Sequence, residues 1–219
     1  LFGLLSALLL WKMPNTKLPL PVRVKKNQQL SKHDRRPALL YASLIALVTF
    51  VSNGTSTHLP EFIASVGLPV AVGMLWGIGQ TGARFLEVVS GSALTPLRLT
   101  ILTTSLMPLC FALGLSGAFL SWAAGGFVLG YGAINGLTTV FKATLPLQLF
   151  AAEDYARLTG ILLIPAQLLA AISPFTYAWI NHYLGMSGCL AVSAALSLVV
   201  AGLAIMIAIN QYRLTATIR

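Results

Sequence analysis

Acidic residues are nearly missing from this sequence. Only five Asp and Glu stand among 219 residues, against fourteen Lys and Arg, and charged residues of both signs make up 9% of the chain. So little charge cannot coat a soluble globule. With 57% hydrophobic residues and a mean hydropathy of +0.83, the composition is that of a multi-pass membrane protein. Cysteine is scarce too: Cys110 and Cys189 both fall inside apolar stretches, which argues against a disulfide framework or a thiolate metal site and leaves them as small core residues. There is no Walker loop, no His and Glu at metal-binding spacing and no paired carboxylate arrangement. The chain therefore reads as neither an ATP-driven pump nor a metalloenzyme, and no enzyme activity or cofactor is expected.

What the sequence does have is long uncharged runs. Asp, Glu, Lys and Arg are absent from 37–60, 62–83, 99–141 and 158–212. A helical crossing takes about 20 residues to traverse roughly 30 Å of hydrocarbon, so the last two runs, at 43 and 55 residues, each cross twice. The expected fold is all-α, a polytopic bundle of six transmembrane helices over 38–209.

The net charge of +9 would suggest a nucleic-acid partner in a soluble protein, but here the basic residues sort by loop. Lys12, Lys17, Arg23, Lys25, Lys26, Lys32, Arg35 and Arg36 precede the first full span, and Arg98, Lys142, Arg157, Arg213 and Arg219 flank every second connection. The intervening loops hold only Glu61. The positive-inside rule then puts both ends of the chain in the cytoplasm, in a cell inner membrane, with the anionic lipid leaflet as partner and no nucleic acid. Arg84 alone departs from this pattern.

Taken in order, residues 1–13 read as the end of a truncated helix, since an 11-residue apolar run followed by Lys12 is too short to span and has its charge on the wrong side for a signal peptide. Residues 14–37, rich in Lys, Arg and Pro, read as a basic cytoplasmic linker, and 210–219 as a cytoplasmic tail. The six spans are placed near 38–58, 68–90, 98–114, 120–141, 160–180 and 184–209. Pro165 and Pro174 are expected to kink the fifth. His58 is expected at a solvated or interfacial outer end.

The second span carries the densest pattern. On a helix, Gly73, Gly77, Gln80, Arg84, Glu87 and Gly91 fall within about 40° of one line, a face both glycine-lined and charged. Arg84 and Glu87, three apart, are close enough to pair. A charge at membrane depth costs on the order of 3 kcal/mol, so it persists only facing a bundle interior or a wet cavity. In the fourth span Gly125, Gly132 and Gly136 form a packing stripe, beside a polar one of Tyr131, Asn135, Thr138 and Lys142. Asn53 lies on a small, polar seam of the first span, as a bridge between helices or a ligand contact, and Gln167 lies on one side of the fifth.

These local sequences resemble a group of bacterial members of the major facilitator superfamily: Gly79-Gln80-Thr81-Gly82-Ala83-Arg84-Phe85-Leu86-Glu87, Leu94-Thr95-Pro96-Leu97-Arg98, Tyr131-Gly132-Ala133-Ile134-Asn135-Gly136-Leu137 and Leu145-Pro146-Leu147-Gln148-Leu149-Phe150. The resemblance covers the whole chain, as the C-terminal six-helix half with the end of the sixth helix before it. The turn after the second span keeps Gly91 and Arg98 but lacks the superfamily's aspartate. The resemblance implies secondary active transport of a small-molecule substrate by alternating access, with proton coupling expected and with efflux and uptake both left open, and with an N-terminal six-helix half as partner. On that reading Asn53, Gln80, Arg84, Asn135 and Gln167 line the cavity, and Glu87 either forms a structural pair with Arg84 or carries the coupling proton.

Two other classes compete. One is a noncatalytic membrane protein, including a nonfunctional transporter remnant. The other is an intramembrane serine protease: Gly114-Leu115-Ser116-Gly117 and His182-Tyr183-Leu184-Gly185 resemble rhomboid motifs, though Ser116 and His182 fall in separate turns.

Overall fold

Each regular element is a helix in the computed structural model of this protein, which describes residues 35–90, 94–117, 120–150 and 155–217. In chain order these are α1 (Arg35–Ser65), a 3-10 turn (Val70–Gly73), α2 (Met74–Ser90), α3 (Pro96–Ser116), α4 (Ser121–Leu149), α5 (Tyr155–Leu162) and α6 (Ile164–Thr217). Residues 1–13 and most of the basic linker lie outside the described residues.

The helix boundaries follow local chemistry. α1 ends in a Schellman motif: Gly67 adopts φ 69°, its N–H reaches Ala64 O at 3.0 Å and the Leu68 N–H reaches Ile63 O at 3.1 Å. α1 thus runs seven residues past the expected end at His58, carrying Pro60 inside it. α3 opens on Thr95, whose side chain accepts from Arg98 N, with Pro96 at the first helical position where a missing N–H costs nothing. Pro165 stands two residues after a one-residue interruption of the helix at Leu163, across which the Leu163 N–H still reaches Thr159 O at 3.0 Å and the Gln167 N–H reaches Leu163 O at 3.1 Å, an irregularity where the kink was expected. Pro174 does lie inside α6.

Continuous helical assignment through α6 hides a reversal at Gly185, which adopts φ 68°, ψ −177°. Along a straight helix residues 177 and 193 would stand about 24 Å apart. Instead Tyr177 Oη and Ser193 Oγ are 2.7 Å apart, and Cys189 Sγ donates to Tyr177 O at 3.4 Å. Residues 164–184 and 186–217 are therefore two arms folded against one another, joined at a single residue whose conformation is open to glycine and almost nothing else.

Among the described residues three stretches are long and apolar enough to cross a membrane: Arg36–Ser65, Pro96–Ser116 and Leu158–Tyr212, the last 55 residues long and containing the fold-back. Large apolar side chains such as Phe85, Trp122, Leu168 and Phe175 are exposed on the outside of the bundle, as a lipid-facing surface requires. α2 has only 17 residues, and α4 is diluted by glycines, Asn135 and Lys142.

The helices pack as α1 on α6, α2 on α4, and α3 on both α4 and α6. Phe62, Phe111, Phe127 and Tyr131 stack through the middle, each ring 5.0–6.0 Å from the next. The α2–α4 contact is closest. A Cβ on Gly79 would land on Leu129 O, one on Gly132 on Trp76 O, and one on Gly136 would stand 2.6 Å from Gln80 O. Gly132 and Gly136 were expected in the packing stripe. Gly125 meets only an ordinary 3.8 Å contact, and Gly79 replaces it.

Candidate functional site

The polar stripe of α4 faces α1, and two bridges fix the register. Tyr131 Oη donates to Ser52 O at 2.7 Å and meets Ser56 Oγ at 2.9 Å. Further along, Lys142 Nζ donates to Thr49 Oγ1 at 2.8 Å, and Tyr41 Oη donates to Lys142 O at 2.9 Å. Asn135, half-buried, lies between Tyr131 and Lys142 on α4, and Asn53, also half-buried, follows Ser52 on α1. α2 approaches α4 from its other neighbour. Arg84 Nη2 donates to Thr139 Oγ1 at 2.8 Å and Nε to Gly136 O at 3.5 Å, one turn from Asn135.

The expected pairing of Arg84 with Glu87 does not form. Among the described residues the one ion pair within 4 Å is His58 with Glu61. The glycine-tight approach of α2 to α4 offers Arg84 a hydroxyl and a carbonyl across the interface, and its side chain takes those instead. Glu87 is half-buried on α2. Gln80 presses its backbone against Gly136. Gln167 is exposed on the first arm of α6, its backbone N–H closing onto Leu163 O across the helix break. Arg84, exposed on α2, thus reaches α4 through Thr139 and Gly136, Asn53 and Asn135 are half-buried on α1 and α4, and no hydrogen bond among the described residues joins the side chains of Asn53, Gln80, Arg84, Asn135 and Gln167 to one another.

Arg84 and Lys142 hold more N–H donors than their hydrogen bonds within the protein use. A guanidinium has five N–H donors and an ammonium three. Arg84 uses two on Gly136 and Thr139, and Lys142 uses one on Thr49. No carboxylate pairs with either cation among the described residues.

A second polar cluster, at the far end of α1, was not expected to be buried. His58 is 8% exposed, with its ring stacked on Tyr177 at 6.4 Å. Its Nδ1 lies 2.9 Å from Glu61 Oε2 and its Nε2 3.3 Å from Pro174 O. Asn181 Nδ2 donates to the same Glu61 oxygen at 3.0 Å. The signal available in the sequence was Glu61 itself, the one charge in its loop, with a histidine three residues before it on the same helix face.

Ser116 Oγ donates to Leu113 O of its own helix at 2.8 Å, while the ring contact recorded for His182 is with Tyr183. No hydrogen bond joins Ser116 to His182 among the described residues, so the pairing a serine protease needs is not formed. No group of three or more His, Cys, Asp or Glu among the described residues has metal-binding geometry. No protein-family model, curated protein or solved structure matches this chain.

Proposed function

We propose that the chain is one six-helix half of a secondary active transporter of the major facilitator type, and that its substrate is a small molecule bearing an anionic or strongly polar group. The six traverses on this reading are α1, α2 with its 3-10 turn, α3, α4 and the two arms of α6. The observation that carries the substrate class is the pair of cations on the α4 seam, Arg84 and Lys142, with spare donors and no carboxylate partner among the described residues. Cations in largely apolar helices persist where a cavity, a counter-charge or water meets them. On this reading the half-buried Asn53 and Asn135 add uncharged hydrogen-bonding groups to the cavity wall. A companion six-helix half would close the other wall, and rocking of the two would give alternating access.

Proteoliposomes containing the complete protein that carries this chain test the reading. Under an imposed pH gradient, uptake or extrusion of benzoate, malate or inorganic phosphate above protein-free vesicles is expected, falling at least tenfold in both Arg84→Gln and Lys142→Met. Activity confined to organic cations overturns the substrate class. Absence of movement for carboxylates, phosphate, sugars and organic cations alike overturns transport and leaves a noncatalytic membrane protein.

A further inference from the structure

The His58 cluster lies apart from the α4 seam, in the joint between α1 and α6. Gly54 lets the Tyr177 ring lie directly on the α1 backbone, since a Cβ there would fall on the ring. Ser173 Oγ, next to Pro174, donates to Phe50 O at 2.5 Å. Thr55, His58, Tyr177, Cys189 and Ser193 border a small cavity. Glu61, whose side chain is 57% exposed, meets the buried His58 from outside this cavity.

The acceptors around His58 decide its proton count. Pro174 O is a carbonyl and can only accept, so the 3.3 Å contact requires a hydrogen on Nε2. The 2.9 Å contact between Nδ1 and Glu61 Oε2 requires one further hydrogen, carried on either atom. A doubly protonated imidazole beside an ionised carboxylate satisfies both bonds, and so does a neutral imidazole beside a protonated carboxyl. The two arrangements hold the same number of protons, so the statement belongs to the pair and not to either residue. Remove one proton and one of the two contacts becomes lone pair against lone pair. The other titratable groups against His58 are Tyr177 from the first arm of α6 and Cys189 from the second, and phenols and thiols ordinarily titrate above neutrality. α4 brings only Phe127 to the cavity.

We infer that His58 and Glu61 form a proton-binding site that ties α1 to α6 beside Pro174, and that release of its proton loosens this joint. Pro174 has no backbone N–H to close the helix behind it, so the first arm of α6 is already its most bendable here. The contact to Pro174 O splints that point while the proton is bound. On the transport reading above this pair, rather than Glu87, is the coupling site; the proton binding itself does not depend on that reading.

Hydrogen exchange of the complete protein in phosphatidylcholine nanodiscs, at pH 5.5 and 8.5 and corrected for intrinsic rates, tests the site. Amides of 174–193 are expected to exchange at least fivefold faster at the higher pH. His58→Gln and Glu61→Gln erase the difference, while Asn181→Ala, which removes a contact but no titrating group, lowers protection at both pH values and keeps it. A pH-independent wild type overturns the site, a result that needs no variant to fold, and so does a pH response surviving in His58→Gln. In proteoliposomes with whichever probe anion moves, Glu61→Gln is expected to cut gradient-driven accumulation at least tenfold while downhill exchange stays within twofold. Loss of both, or of neither, overturns coupling. A pH-dependent joint with no transport of any probe removes the transport reading and leaves the proton site standing.

Discussion

Arg84 and Thr139 join α2 to α4 through a 2.8 Å hydrogen bond, and this contact, not the neighbouring carboxylate of Glu87, sets where the guanidinium lies. One turn along a helix is close enough for Arg84 and Glu87 to meet. What draws Arg84 away is the interface: Gly79, Gly132 and Gly136 bring the two backbones so close that Gly136 O and Thr139 Oγ1 come within its reach. The second donor bond, at 3.5 Å, is weaker but points the same way.

A double-mutant cycle separates the two partners. Interhelical hydrogen bonds in membrane proteins average about 0.6 kcal/mol in such cycles. Arg84→Gln with Thr139→Val is expected to show coupling near that value in thermal or denaturant unfolding, and Arg84→Gln with Glu87→Gln coupling within about 0.3 kcal/mol of zero, as for groups that do not interact. Coupling to Glu87 larger than to Thr139 would restore the intrahelical pair.

The glycines of the α2–α4 contact give a graded series. Gly79→Ala and Gly132→Ala push a methyl onto backbone carbonyls, which cannot move aside as a flexible side chain can, and each is expected to destabilise by about 1–3 kcal/mol. Gly77→Ala meets nothing within 4 Å and is expected to be neutral or slightly stabilising. Melting temperatures of the purified variants in one detergent check the order. Equal losses at Gly77 and Gly79 would mean that α2 packs through its charged face.

That contrast also marks where reading the sequence stopped. Long uncharged runs announced the helices, because helix length and apolar composition are properties of the chain itself. Gly132 and Gly136 were legible as packing residues because they repeat at helical spacing, whereas Gly79 sits off that pattern, about 100° round the helix from Gln80, and only the approach of α4 gives it a role. The polar stripe Tyr131, Asn135, Lys142 was visible in α4, but its acceptors on α1, Ser52 O and Thr49 Oγ1, depend on interhelical register. His58 was read as solvated because it lies near the end of an apolar run. The Schellman cap at Gly67 extends α1 beyond it, and the two arms of α6 bury it.

The reversal at Gly185 yields a prediction with its own control: a Cβ on Gly185 would meet nothing within 4 Å, so any cost of substitution there is backbone strain alone. At φ 68°, ψ −177° the conformation belongs to the region reserved almost wholly for glycine, and holding alanine in it costs on the order of 1–3 kcal/mol. Gly202, in the second arm of the same helix, is equally uncrowded but has no positive φ. Gly202→Ala is therefore expected to stabilise by up to about 1 kcal/mol through lower chain entropy, and Gly185→Ala to destabilise. The sign of the difference is what matters. If Gly185→Ala also stabilised, the chain would run straight through this point as one helix. The Tyr177 to Ser193 hydrogen bond would then be impossible, and a cysteine pair replacing those two residues would fail to cross-link under oxidation. A pair that cross-links readily in the wild-type background, together with the opposite signs at Gly185 and Gly202, establishes two antiparallel arms.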